Sequence, residues 1–258
     1  MIKIISFGSG SDGNCAIAKN DDTIVMIDCG IQYERVIKGL RLNKIIISDI
    51  DAVLFTHYHR DHTNCLNHIY EYELPIYATK QAINELSIKA NEIVENRVVK
   101  IGSMGILPIK VNHGNAECYA FILHDKDSLI LWATDFLTFE KDISSLPFTE
   151  IYIETNYINE YMEKMLAKDE TNIMKLKRQI STHTSLENSI MWLKQMNLTK
   201  CKKIVGIHLS SHLSNAKIIK NKLYSTFNIP SYCLNWKGEE KWQLFKIQEK
   251  KMEKKTIF

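Results

Sequence analysis

Between Thr56 and His62 the chain reads Thr-His-Tyr-His-Arg-Asp-His, so three imidazoles and one carboxylate fall within six positions. His57 and His59 are two apart, and an extended backbone would aim both the same way. Asp61 and His62 then face a second position as the chain turns. The apolar run Ala52-Val53-Leu54-Phe55 immediately before reads as a buried strand. The cluster therefore sits at the end of a rigid element, over a cleft. Imidazole plus carboxylate suits a borderline-soft divalent cation such as Zn²⁺. A polar loop that merely happens to be His-rich would rarely fill every ligand-type position at this spacing.

The pattern resembles the metallo-β-lactamase fold superfamily. The resemblance implies an α/β fold: an αβ/βα sandwich of two mixed sheets with helices on the outer faces and a two-metal site at one edge. It also implies further ligands downstream, each after a strand. His113 follows the apolar run 106–111, Asp135 follows 129–133, and His208 follows 203–207. One such residue means little, because polar residues commonly follow strands, but three in this order carry weight. Position by position, the resemblance assigns one metal to His57, His59 and His113, a second to Asp61, His62 and His208, and a bridging role to Asp135. The two divalent ions would be Zn²⁺, with Mn²⁺ as the alternative. Metals about 3.5–4 Å apart activate water and clamp the oxygens of an in-line displacement. The redox branch of the superfamily typically has Glu where this chain has His59, which favours a hydrolytic site.

His183 stands 25 residues ahead of His208 and just before the run Thr184-Ser-Leu-Glu187, a capping-box pattern. The phosphodiesterase branch, including RNase Z, has a His in this relative position. It would be an acid that protonates the leaving oxygen, or a phosphate donor; the plainer reading is a surface His at a helix start. Glu154-Thr-Asn-Tyr157, His183-Thr-Ser-Leu-Glu-Asn188 and His208-Leu-Ser210 together resemble WalJ-type proteins and the anti-Pycsar phosphodiesterases. That similarity runs from about residue 2 to residue 215. Cys65 replaces a glycine common after the Asp-His pair, and Tyr157 stands where WalJ-type proteins tend to have His. Asp28 matches a superfamily Asp that buttresses the metal loop, and an Asx turn before Gly30 is compatible with that role.

Gly8-Ser-Gly10-Ser-Asp-Gly13 matches a dinucleotide-binding fingerprint, but a strand, a turn and a strand follow where a helix is required. The loop reads instead as a tight turn whose amides approach an anion. Gly10 and Ser11 there, with Asn156 and His212, are the expected substrate contacts. Lys175, Lys177 and Arg178 form a basic cluster, read as a solvated face or a phosphate clamp. His68 and His124 take bland readings.

The remaining segments alternate. Helices are expected over 33–42, 63–72, 80–91, 186–196 and 215–227. Strands are expected over 75–78, 97–101, 106–111, 118–124, 129–133, 150–153 and 203–207. A single domain over 1–258 is expected, with 248–258 as a solvated tail. The chain is 45% hydrophobic and 24% charged, with a net charge of +3, so no large basic surface drives nonspecific nucleic-acid binding. Its six cysteines are spread without a C-x-x-C pair, as in a reduced, cytoplasmic protein, and the family resemblance implies a bacterial or phage-encoded one. No signal peptide or membrane span is visible. The expected activity is a dinuclear-metal phosphodiesterase in which Asp61 positions the attacking water. Its lead substrate is a 3′,5′-cyclic mononucleotide, with a WalJ-type 5′–3′ DNA or RNA exonuclease as the alternative. A thioester or lactone hydrolase, or a non-catalytic metal-binding module, is less favoured. A homodimer is expected from the related enzymes.

Overall fold

Ala52, Val53 and Leu54 point alternately to opposite faces of one strand, and all three are fully buried. A strand that is apolar on both faces must be covered on both, and the same pattern recurs in both sheets of the fold. The computed structural model describes residues 1–168 and 172–234. The expected tail at 248–258 lies outside the described residues.

The first sheet contains β1 (Lys3–Gly8), β2 (Cys15–Lys19), β3 (Ile24–Ile27), β4 (Ala52–Leu54), β5 (Ile76–Ala78) and β6 (Asn91–Glu92), ordered as numbered. The first three strands pair antiparallel and the later pairs are parallel. Its helices are α1 (Tyr33–Leu42), α2 (Arg60–Thr63), α3 (Leu66–Tyr70) and α4 (Lys80–Leu86). The second sheet contains β7 (Val99–Ile101), β8 (Met104–His113), β9 (Ala116–His124), β10 (Leu129–Ala133), β11 (Thr138–Phe139), β12 (Glu150–Glu154), β13 (Lys203–Ile207) and β14 (Ser231–Cys233). Its order is β11-β8-β9-β10-β12-β13-β14, with β7 paired to β8. The remaining helices are α5 (Asn159–Leu166), α6 (Ile173–Thr182), α7 (Leu186–Gln195) and α8 (Ala216–Phe227).

Period-two alternation sorts the strand residues into layers. Ala16, Val25, Leu54, Phe121, Trp132, Tyr152 and Val205 fill the space between the sheets. Val53 and Met26 face outward, toward Val36 and Leu40 of α1 and Ile69 of α3. Leu131, Ile151 and Ile204 face the other way, toward Leu186 and Leu193 of α7 and Leu223 of α8. The result is the expected αβ/βα sandwich of mixed sheets. No helix among the described residues is long and apolar enough to cross a membrane.

Several elements differ from their expected form. α4 stops at Leu86 because Ser87 adopts a left-handed conformation, and Asn91 and Glu92 join the sheet edge instead of extending the helix. The helix expected over 63–72 is shorter, reduced to α3, and Thr63 instead ends the separate turn α2. The cap of α7 is Ser185, whose hydroxyl accepts from the Asn188 amide at 3.1 Å, so the Thr184–Glu187 box is out of register by one residue. Glu187 instead accepts from the Asn159 amide. Helices α5 and α6 were not anticipated; they bury only a narrow stripe, with Met162 and Leu176 packed against Tyr157 and Leu213.

The loop after β3 is built into the Asp61–His62 turn. Cys29 N–H donates to the His62 carbonyl at 2.7 Å, and Cys65 N–H donates to the Cys29 carbonyl at 3.0 Å. A Cβ at Gly30 would fall on the Asp61 carbonyl, well inside van der Waals contact. Gly30→Ala should therefore destabilise the protein by about 2 kcal/mol or more, the cost of overpacking against backbone that cannot yield. Urea denaturation reads this, and a wild-type midpoint would contradict the packing described.

Candidate metal centre

The sheets bring their carboxyl-terminal strand ends to one edge. β10, β12 and β13 run parallel, and β8 runs in their direction because two antiparallel pairings separate it from β10. His113 ends β8, Glu154 ends β12, His208 follows β13 at once, and Asp135 follows β10 after Thr134. His57 follows β4 in the facing sheet. Asp28, Asp135 and His208 all carry left-handed backbone, with φ of 57°, 51° and 52°. Such conformations cost about 1–3 kcal/mol each and cluster at functional sites.

The first expected ligand set is assembled. His57 Nε2 stands 2.9 Å from His59 Nδ1, and His113 Nε2 stands 3.3 Å from that same atom. Asp135 Oδ1 lies 3.8 Å from His113 Nε2. The second set is looser. Asp61 Oδ2 is 3.6 Å from His62 Nε2 and 3.9 Å from His208 Nε2, while Asp135 Oδ2 is 3.1 Å from His62 Nε2. Asp135 thus touches both sets, as a bridge should. The tightest groupings are His57–His59–His113, His57–His62–Asp135 and Asp135–Glu154–His183–His208, so Asp61 sits at the open rim.

Each ring is aimed by what its other nitrogen touches. The buried Asp28 carboxylate accepts from Thr56 N at 2.9 Å, from Thr56 Oγ1 at 3.0 Å and from His62 Nδ1 at 2.8 Å. With its proton given to Asp28, Thr56 Oγ1 accepts from His57 Nδ1 at 3.1 Å. His113 Nδ1 donates to the Thr182 carbonyl at 2.7 Å. His208 Nδ1 contacts Asp135 and Thr134. These contacts place the protons of His57 and His113 on the outer nitrogens and turn their Nε2 lone pairs inward, the arrangement that ligating imidazoles adopt, whereas His62 has a carboxylate on each ring nitrogen, Asp28 at Nδ1 and Asp135 at Nε2.

The electrostatics agree. Burial and neighbouring imidazoles push His57 and His113 below the usual histidine range, and His59 down to about 4, so these rings are neutral. For His62, burial opposes the charge, but Asp135, Asp28 and Asp61 outweigh it and raise the pKa. Burial likewise opposes ionisation of Asp135, yet His208 and His62 hold its carboxyl below the usual range. His57 Nε2 and His59 Nδ1 stand close enough that one cation could take both, or a single proton could be shared between them. The donor set, neutral imidazole plus carboxylate without thiolate, fits Zn²⁺ or Mn²⁺.

His183 is the C-terminal cap of α6 and does not open α7. Burial would depress it, but Glu154 overrides burial and raises it to about 9. Its Nδ1 donates to Glu154 Oε1 at 2.8 Å and lies 3.6 Å from Asp135. Glu154 was not assigned a role from sequence, although it follows the apolar run of β12 as the ligands follow theirs. Its Oε2 accepts from the amides of Phe136 at 3.0 Å and Thr184 at 3.2 Å, which fixes the carboxylate that holds His183.

The expected substrate contacts are placed differently from one another. Gly10 is buried, with its N–H on Asn14 Oδ1, and Ser11 is exposed beside it. Asn156 is fully engaged, donating to the His208 carbonyl at 3.0 Å and accepting from Gln179 at 2.5 Å, so it positions the His208 backbone. His212 is exposed. Asn14 emerges as a link between the glycine loop and the site, 3.0 Å from His62 Nε2.

A family model described as the β-lactamase superfamily domain matches residues 23–209. The chain is 27% identical over 139 residues to the exodeoxyribonuclease YycJ of Bacillus anthracis, across 49% of this chain and 52% of that protein. It therefore spans about half the length of that relative. It is 29% identical over 87 residues to the transcription termination factor FttA of Methanocaldococcus jannaschii, covering 32% of this chain and 14% of that one. Among solved structures, the metallo-β-lactamase fold protein YhfI of Bacillus subtilis superposes with a TM-score of 0.69 at 16% identity, over 92% of this chain and 99% of that one. A diphosphatase of the PhnP family gives 0.63 at 16% identity, over 92% and 95% of the two chains.

Elemental analysis of protein loaded with Zn²⁺ or Mn²⁺ should find about two metal equivalents per chain, as a two-metal site requires. His59→Ala and Asp135→Ala should each lose metal. Full loading of either variant would refute the ligand assignment.

Proposed function

The chain belongs to the β-lactamase superfamily, and on that premise we propose that it is a metal-dependent phosphodiesterase acting on nucleotide phosphodiesters. The observation that carries this reading is the Glu154–His183 pair beside the ligand cluster. Hydrolysis of a thioester expels a thiolate and needs the ligands but not a second, protonated imidazole at the rim. Expulsion of an alkoxide from phosphorus does need an acid on the leaving side.

Divalent ions held by His57, His59, His113, Asp61, His62, His208 and Asp135 would supply Lewis-acid stabilisation of phosphoryl charge and a lowered water pKa. The chain's own groups do the rest. Asp61, with a side chain 31% exposed, faces the cleft and orients and deprotonates the attacking water. His183 gives Nδ1 to Glu154, so its Nε2 carries the proton that the leaving oxygen takes. Glu154, buried and fixed by two amides, keeps that ring aimed and charged.

The finer question is substrate length. A net charge of only +3 supports a 3′,5′-cyclic mononucleotide. The similarity to an exodeoxyribonuclease supports the second reading, in which the substrate is the end of a DNA or RNA chain. A panel of cyclic nucleotides and labelled single- and double-stranded nucleic acids, assayed with Zn²⁺, Mn²⁺ and Mg²⁺, separates the two. Cleavage of none of them would overturn the phosphodiesterase reading.

His183→Ala should keep near-normal metal content while turnover falls roughly 10²–10⁴-fold, the contribution of a positioned proton donor. Lost metal would make His183 a ligand, and unchanged turnover would make it a bystander.

A further inference from the structure

Helix α6 ends in the metal centre. The Thr182 carbonyl accepts from His113 Nδ1, His183 lies at the rim, and Gln179 donates to Asn156 behind His208. A Cβ at Gly114, the residue after His113, would lie 3.0 Å from the Thr182 methyl, so the helix end presses on the ligand strand itself. The inner stripe of α6 is set by Leu176, buried against α5, and by Gln179. The outward side carries Lys175, Lys177 and Arg178, all exposed and without an ion pair among the described residues.

These three charges are not equivalent. At 3.6 residues per turn, positions 175, 178 and 182 share one ridge, while 177 lies well around the helix from it. With a rise of 1.5 Å per residue, Arg178 stands about 6 Å and Lys175 about 10 Å beyond Thr182 along the axis. A ridge of unpaired cations that starts at the ligand rim and leads away from it matches a polyanion leaving the site.

Resting on the phosphodiesterase reading and narrowing its substrate class, we propose that Lys175 and Arg178 bind successive backbone phosphates of a single-stranded nucleic acid whose end occupies the metal centre. Lys177 takes no part. The ridge makes the enzyme selective for a chain over a mononucleotide although its net charge is small, because the cations are concentrated where the strand must run.

The test is equilibrium binding of a fluorescein-labelled, phosphorothioate-linked single-stranded oligonucleotide to the metal-loaded full chain, followed by anisotropy across a salt series. Each phosphate contact contributes about −0.7 to the slope of log K against log salt for single strands. Lys175→Ala with Arg178→Ala should flatten the slope by about 1.4 and weaken binding at least tenfold at low salt. Lys177→Ala should leave both within error of wild type. An equal loss in Lys177→Ala, or an unchanged slope in the double variant, would overturn the ridge, as would oligonucleotide binding no tighter than that of a cyclic mononucleotide. Hydrolysis of bis(p-nitrophenyl) phosphate by the wild-type protein is scored separately. Its absence together with intact strand cleavage would leave the ridge standing, whereas the absence of all phosphodiester cleavage would remove the catalytic reading while the binding result still decides the ridge.

Discussion

One buried carboxylate holds the site together. Asp28 is 1% exposed, sits on left-handed backbone at the end of β3, and takes hydrogen bonds from the Thr56 amide, the Thr56 hydroxyl and His62. Burial pushes its pKa up, while His62 and the Thr56 donors oppose that rise. Through Thr56 it fixes the tautomer of His57, and directly it fixes that of His62, so one residue of the first sheet aims one ligand in each set. Without it the Thr56 amide and the His62 ring would be left unsatisfied in the interior, at about 1–3 kcal/mol each. Backbone contacts from Cys29 and Gly30 to the Asp61–His62 turn complete the clamp, and they require a residue without a side chain at position 30.

The second sheet supplies the opposite wall by direction alone. Parallel strands end together, and three of them end in Asp135, Glu154 and His208. Asp135 and His208 turn out of the strand with positive φ, which brings each carboxylate or ring back over the edge rather than onward into solvent. The strain is tolerated because Thr134, Asn156 and Ser9 bond to these same residues or their backbone. These hydrogen bonds fix the two left-handed residues in place at the edge of the sheet.

Much of this was legible in the chain. The spacing of His57, His59, Asp61 and His62 after an apolar run is read from the residues, whereas His113, Asp135 and His208 after later runs are what the family resemblance implies. Glu154 obeys the same rule, but its placement on His183 depends on how α6 and β12 pack, and neither sequence segment encodes that alone. Helices α5 and α6 escaped notice although the apolar period of α6 is as marked as that of α1; Lys175, Lys177 and Arg178 between its apolar positions read as a basic cluster instead. The α7 cap was misplaced by one residue because Thr184 and Ser185 are both good caps. Tertiary contact chose between them: Thr184 is drawn to the Phe136 carbonyl and to Glu154, leaving Ser185 for the helix. The end of α4 was set by the left-handed turn at Ser87, a conformation that residue type does not announce.

The central proposal is that His57, His59, His113, His62 and His208, with Asp135 between them, would hold two cations. X-ray absorption at the zinc edge of the Zn²⁺-loaded protein tests it most directly. Nitrogen and oxygen ligands at about 2.0–2.2 Å, with a metal–metal separation of about 3.5–4 Å, is the predicted result. A sulfur ligand at about 2.3 Å, which would bring in Cys118 at 3.7 Å from His57 Nδ1, or a spectrum with no second metal would contradict it.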